Sequence, residues 1–335
     1  MVNDSQSVHS YFAKKNILIT GSSGYIASSI VNALSGVDCT IFRLTRDIGR
    51  LEPIYQRAKT IDLEVDISSD DDWGRRLEHI DIVYHLAAQT SAYKADGDPL
   101  GDLKINVLPI LKMFTTCETK GFEPTIVFVG TVTEIGLSNR LPVNEDHYES
   151  PITIYDIHKL MAEKYLLHYA SRGIVKGCAL RLSNVYGPGP KSSTADRGIL
   201  NLMVKRALSG KTLTIYGSGE HVRDYIYVDD VVKAFLLAAA CIDKTNANHF
   251  IIGSGTGHSI AHAVNLVAQR VFEKTNICVE VVHIDSPLHL SQIEERDFVA
   301  DIGKFSAVTG WTPLYSLDEG IDRTIDYYLS LKKES

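Results

Sequence analysis

Apolar residues along the chain cluster into short dense runs, separated by longer stretches in which they recur at helical spacing. Residues 16–19 are dense enough in apolar side chains for a buried parallel strand, residues 20–24 turn sharply, and residues 25–34 have the spacing of a helix. The alternation then repeats. Segments 39–44, 60–65, 80–86 and 126–129 read as strands; 68–77 reads as a helix with Ser68 at its N-cap, and 103–119 is helical in period despite Pro109. This order predicts an α/β fold with a doubly wound parallel sheet covered by helices on both faces. Beyond Gly173 the texture changes: a Gly187-Pro188-Gly189-Pro190 turn leads into a polar loop to Arg197, and the helix-like 199–209 mixes with strand-like pieces less regularly. A smaller second domain closing over a ligand is expected there, because sites in open α/β sheets lie beyond the strand carboxyl ends.

Composition narrows the partners. The 335 residues are 44% hydrophobic and 22% charged, ordinary for a globular protein with a sizeable core. A formal charge of −7 argues against nucleic acid as a partner. Cys39, Cys117, Cys178, Cys241 and Cys278 are scattered, with no C-x-x-C pair or His/Cys cluster, so neither a metal site nor a disulfide framework is expected. The polar N-terminus is no secretory signal, and the apolar run 231–242 carries Lys233 and is too short to span a bilayer. A cytoplasmic protein without a membrane partner is the expectation.

The candidate chemistry begins in the first turn. Gly21 permits a backbone geometry closed to other residues, Gly24 lets the main chain approach a ligand, and Ala27 lets the helix press on the strand. Such a turn leaves N–H groups free at a helix N-terminus, where a pyrophosphate is the natural partner. The spacing is wider than the common dinucleotide fingerprint, and a plain strand-to-helix turn is the alternative. At the second strand's end Arg43 and Arg46 suit a 2′-phosphate and favour NADP(H) over NAD(H), with Asp47 close by; two solvated loop arginines are the alternative. Tyr155 and Lys159, four apart in an amphipathic segment, share one helix face. A tyrosine of pKa about 10 beside a cation that lowers it by about 1 to 3 units becomes a usable base near neutral pH.

Taken in order, these motifs resemble the extended short-chain dehydrogenases/reductases of the nucleotide-sugar epimerase/dehydratase type, over residues 16–329. The cofactor loop matches at Thr20, Gly21, Gly24 and Ala27, the H-x-A-A strand end at His85, Leu86, Ala87 and Ala88, and the active-site hydroxyl at Thr131. Tyr155 and Lys159 match the Tyr-x-x-x-Lys pair, and Arg181, Asn184, Val185, Tyr186, Gly187 and Pro188 match the next block. Gly217, Gly219, Arg223, Asp224, Tyr227, Val228, Asp229 and Asp230 follow, and Gly310, Trp311 and Pro313 close the series. The resemblance implies a Rossmann-type dinucleotide-binding domain (1–186 plus about 226–256) and a smaller C-terminal substrate-binding domain (187–225 and 257–335).

The resemblance also implies roles. Thr20, Gly21, Ser23, Gly24, Tyr25 and Ile26 would hold the cofactor at the turn, Arg43, Arg46, Asp66 and Ile67 on the adenosine side, and Leu86, Ala87 and Ala88 at the fourth strand's end. Tyr155 would be the general base at a sugar C4 hydroxyl, Lys159 would depress its pKa and bind the nicotinamide ribose, and Thr131 would hold the reacting oxygen. The nucleotide-sugar substrate would meet Thr131, Thr90, Ser91 and Tyr93, with Asn184 and Arg223 on its diphosphate. A homodimer through a four-helix bundle around residues 103–119 and 152–169 is implied as well.

Several positions depart from the pattern. Val132 and Thr133 stand where dehydratases carry Asp-Glu, and Glu134 comes one residue late, which along a strand sends its side chain to the other face. Ile135 replaces a tyrosine, Ser291 stands in place of a second phosphate-binding arginine with Arg296 as the candidate substitute, and His158 replaces a small residue, as a packed ring or a second titrating group. The expected function is C4 oxidation of a nucleoside-diphosphate sugar, as 4-epimerase or 4-dehydrogenase. An NADP(H)-dependent 4-keto-sugar reductase is the alternative, a 4,6-dehydratase is disfavoured, and a non-enzymatic redox regulator is the reading from another class.

Overall fold

A computed structural model describes residues 5–189, 198–287 and 290–334; the loop expected at 190–197 lies outside the described residues. Strand β1 (Asn16–Thr20) sends Ile17 and Ile19 into one hydrophobic core and Leu18 into another. A strand apolar on both faces needs cover on both, which an all-parallel sheet flanked by helices supplies. The sequence continues with β2 (Thr40–Thr45), β3 (Lys59–Glu64), β4 (Ile82–His85), β5 (Thr125–Thr131), β6 (Lys176–Leu182), β7 (Asn184–Tyr186), β8 (Leu213–Tyr216), β9 (Val222–Tyr227), β10 (Asn248–Ile252), β11 (Gly257–Ser259) and β12 (Val281–Ile284). Seven of them form one parallel sheet in the order β10-β6-β5-β4-β1-β2-β3. The helices Tyr25–Leu34 and Val228–Ala240 cover one face, and Leu108–Lys120 and Ile154–Ser171 cover the other.

This topology places the site. From β1 the chain builds outward through β2 and β3, then returns to lay β4 on the other side of β1. The connections therefore diverge at the carboxyl ends of β1 and β4, at Thr20 and His85, leaving the crevice in which α/β sheets bind ligands. The remaining strands pair as β11-β9-β7 and β12-β8, around a separate core containing Leu200, Met203, Ile215, Val267, Ile321 and Ile325. The doubly wound sheet with a smaller C-terminal domain is the architecture read from the sequence. No helix among the described residues is long and apolar enough to cross a membrane.

Two helices differ from their expected form. The segment 103–119 belongs to two helices, Pro99–Asn106 and Leu108–Lys120, which meet at Val107. Pro109 falls in the first turn of the second, where its missing N–H has no helical partner to lose. The helix expected at 68–77 shrinks to Trp73–Leu77. Asp66 and Asp70 accept from the N–H groups of Ser68 and Asp72, turning the chain until Asp72 caps the helix.

Candidate active site

The crevice is lined first by backbone. Thr20 ends β1 with its hydroxyl buried, accepting the N–H groups of Leu86 (3.1 Å) and Ala87 (3.0 Å), so β1 and the chain leaving β4 are tied at one atom. With two N–H groups on that oxygen, its proton goes to His85 Nδ1 at 3.1 Å, and Nε2 carries the ring proton. Burial, reinforced by Lys159, pushes His85 down to about 3, so the ring is neutral. Gly21 sits at φ +69°, and a Cβ there would lie 2.9 Å from Ala87 Cα; a Cβ on Gly24 would lie 2.9 Å from Gly21 O. The helix that follows has Gly24 at its N-cap and no side chain capping it. Free N–H groups above a floor too tight for any side chain fit a dinucleotide pyrophosphate.

The flanking residues divide. Ser23 bonds Thr45 through their hydroxyls at 2.9 Å, and Ile26 packs on the core below. Tyr25 turns towards the second domain instead: its hydroxyl donates to Gly187 O at 2.9 Å, and a Cβ on Gly189 would be 2.5 Å from its ring. Asp66 is exposed, and the hydroxyl and N–H of Ser68 hold its carboxyl below the usual range, while Ile67 is buried. Ala88 is half-buried beside Ala87. Arg46 is exposed, but Arg43 is buried, with Nε and Nη2 on the two oxygens of Asp62 at 2.7 and 2.9 Å and Nη1 on Glu52 O.

The residues expected to react sit where β5 meets the helix Ile154–Ser171, which Thr153 and Asp156 start with a reciprocal capping box. Lys159 is buried with Nζ 3.9 Å above the Phe128 ring, and Tyr155 packs on Ala92, Ala95 and Ile154. Burial lowers Lys159 to about 8, against the pull of Glu134, Asp102 and Glu163 in the other direction. Thr131 is connected to the same helix through hydroxyls. Thr133 donates to Asp156 Oδ1, so Thr131, 2.9 Å away, donates to Thr133. The position of a dehydratase carboxylate is thus filled by a hydroxyl that faces the helix cap.

Two charged assemblies lie beneath. His158 is buried and bonded to Asp102 at 2.7 Å, while the other oxygen of Asp102 accepts from Gln89 and Asn106. The ring is thus both packed and hydrogen-bonded. Arg181 lies among Glu134, Glu149 and Glu163, with contacts of 3.0, 2.7 and 2.6 Å. Glu149, Glu163 and His249 offer ligand atoms within 4.8 Å of one another, but the Arg181 guanidinium already supplies the cation between the two carboxylates. Nothing in the motif spacing signalled that Glu134 would join this cluster.

On the substrate side, Ser91 is buried and caps the helix Ala92–Gly97, Thr90 is half-buried, and Tyr93 is partly exposed, accepting from Ser291 N–H at 3.3 Å. Arg223 is buried and donates to the carbonyls of Val222, Glu294 and Arg296. Those bonds brace the 294–296 segment, and Arg296 Nη2 in turn lies 3.5 Å from Asn184 Oδ1. Two buried guanidinium groups share Glu294, at 3.8 Å from Arg223 and 3.7 Å from Arg296.

Known proteins are similar to this chain in sequence and fold. The model of the NAD dependent epimerase/dehydratase family matches residues 17–253. UDP-glucose 4-epimerase of Mycolicibacterium smegmatis is 26% identical over 318 residues, 93% of this chain and 97% of that protein. The solved UDP-glucose 4-epimerase of Thermotoga maritima, with UDP-glucose, is 29% identical with a TM-score of 0.83, covering 95% of this chain and 99% of that one. MoeE5 in complex with UDP-glucose and NAD is 26% identical with a TM-score of 0.79, covering 96% and 100%. These findings correct the expected preference for NADP(H): the family is NAD dependent, its solved relative holds NAD, and Arg43 is locked on Asp62 and Glu52 and not free to take a 2′-phosphate. NAD(H) therefore replaces NADP(H) as the cofactor that membership of the family implies. With its glycine turn, its switch-point crevice and its buried Tyr155 and Lys159 on one helix, the chain belongs to the NAD dependent epimerase/dehydratase family of extended short-chain dehydrogenases/reductases, enzymes that act on nucleotide sugars.

Proposed function

We propose that the protein is an NAD-dependent 4-epimerase of a nucleoside-diphosphate sugar. The observation that carries this reading is the pair at positions 132–133: Val132 is buried, and the Thr133 hydroxyl is directed at Asp156, so no carboxylate stands there to eliminate water once C4 is oxidised. Thr20, Gly21, Gly24 and the first turn of the helix Tyr25–Leu34 would hold NAD through its phosphates. Bound there, it supplies a hydride acceptor and later returns the hydride. The chain's own part is proton and charge. Tyr155, as the phenolate that the charged Lys159 favours, accepts the C4 hydroxyl proton and becomes the neutral phenol, and Thr131, turning its hydroxyl from Thr133, donates to the reacting oxygen. Returning the proton from Tyr155 completes inversion once the keto sugar has presented its other face.

Arg296 with Asn184, on the segment braced by Arg223, is the proposed grip on the diphosphate. Two buried guanidinium groups against one partly exposed carboxylate leave positive charge that a diphosphate would neutralise. Leu100, Ile157 and Met161 are exposed on the helices Pro99–Asn106 and Ile154–Ser171, and a groove on the latter is lined by Met161, Lys164, Tyr165 and His168. These support a homodimer through that face, which light scattering tests as twice the chain mass.

The test of function is incubation with UDP-, GDP-, CDP- and dTDP-sugars, following product identity by chromatography and bound dinucleotide by absorbance. An epimer of unchanged mass supports the proposal. A product lighter by two hydrogens with stoichiometric NADH marks a dehydrogenase, loss of water marks a dehydratase, and binding without turnover marks a regulator.

A further inference from the structure

Glu134 takes no part in the chemistry above, yet it is a fully buried carboxyl group beside Thr131. Strand geometry would turn it to the opposite face. The strand ends at Thr131, however, and Val132–Ile135 wind into a 3-10 turn. In that turn Glu134 reaches back, and its Oε1 accepts the Thr131 N–H at 2.9 Å while the Thr131 hydroxyl caps the same turn. Its Oε2 lies 3.0 Å from Arg181 Nε. Gly130 leaves the room: a Cβ there would be 3.2 Å from Glu134 Oε1 and 3.1 Å from Arg181 Cγ.

The surroundings make this an odd choice for stability alone. Arg181 on β6 already has Glu163 from the helix Ile154–Ser171 and Glu149 from the segment before it, with His249 on β10 beside Glu163. Adding Glu134 crowds another carboxyl group onto one guanidinium, and burial together with the Glu163 charge pushes it well up from the usual range, against Arg181, the Thr131 N–H and Lys159. An apolar residue would serve packing at least as well.

We propose that Glu134 is a positioning residue for the transfer step, its Oε1 holding the Thr131 backbone so that the threonine hydroxyl stays in register with the reacting oxygen. The inference rests on the reading of Thr131, Tyr155 and Lys159 as the acting groups.

The test compares wild type, Glu134→Ala and Glu134→Gln, measured as kcat and KM per bound dinucleotide on whichever of UDP-glucose, UDP-galactose, UDP-glucuronate, dTDP-glucose, CDP-glucose and GDP-mannose turns over fastest. Glu134→Ala should lower kcat by about tenfold to a hundredfold, since small displacements of reacting groups have effects of that order, with KM within about threefold. Glu134→Gln keeps an oxygen for the Thr131 N–H and should return kcat to within about threefold of wild type. If Glu134→Ala does not fold, Gly130→Ala, which presses on Glu134 Oε1 from its own side, should lower kcat with KM unchanged. An alanine variant with unaltered kcat, or a glutamine variant as impaired as the alanine one, overturns the inference and leaves the epimerase reading standing. A wild type inactive on every sugar removes that reading as well.

Discussion

The turn at Gly21 and Gly24 and the floor under Lys159 are made of different materials. The turn works through backbone: side chains are excluded by contacts of 2.9 Å, and what remains is a set of N–H groups no side chain caps. The floor works through charge held out of water, where Lys159 lies buried against Phe128 and within the field of Glu134, Asp102 and Glu163. A backbone site tolerates substitution almost nowhere but is indifferent to pH. A charge site tolerates changes of shape yet depends on every proton around it. The two should therefore fail in different ways when disturbed.

The largest effect belongs to the charge site. Tyr155→Phe removes the proposed proton acceptor while keeping the ring among Ala92, Ala95 and Ile154, and turnover should fall by about a thousandfold or more. Affinity for NAD, measured by calorimetry, should stay within about threefold, because the turn at Gly21 is untouched. Turnover that survives the change would remove Tyr155 from the mechanism.

Next comes pH. Lys159 is charged below its value of about 8 and loses its proton as pH rises through it. Below that point the cation on the same helix as Tyr155 is present in full; above it the proposed base loses that charge. The pH profile of kcat should therefore turn down above about pH 8, and Lys159→Met should remove that limb along with about a hundredfold of activity. A profile still rising through pH 9 in the wild type would separate Lys159 from the rate. NAD binding, resting mainly on the backbone of the turn, should show a much shallower limb there.

The same division explains what could be read from the sequence. Gly21, Gly24 and Ala27 were legible because steric exclusion leaves few residue types that fit, and the strand order followed from apolar runs on both faces of β1. That Tyr155 and Lys159 share a helix was legible through their spacing. Glu134 was not, because its direction depends on β5 ending at Thr131 and tightening into a 3-10 turn, a change of geometry that no apolar period records. Arg43 misled for a related reason. A guanidinium at a strand end looks free along the chain, while its partner Asp62 sits across the sheet, paired in register on β3.

A smaller effect tests the backbone site. Gly21→Val places a branched side chain at φ +69° and against Ala87, so stability should drop by about 1 to 3 kcal/mol and NAD affinity by about tenfold or more. Thermal unfolding with and without NAD separates the two losses. Equal shifts in both conditions would show the turn to be structural only.

The smallest effect is expected at Arg43, where the correction on cofactor choice is most exposed. Its guanidinium donates to Asp62 and to Glu52 O, so Arg43→Ala leaves a partly exposed carboxylate unpaired and should lower stability by about 1 kcal/mol. Were the arginine a phosphate ligand, the same change would weaken NADP binding about tenfold or more while sparing NAD. With its donors already engaged, the ratio of NAD to NADP affinity should stay within about twofold of wild type. Calorimetric titration of both dinucleotides reads that ratio directly, and a selective loss of NADP would mean that the Asp62 pair opens on binding.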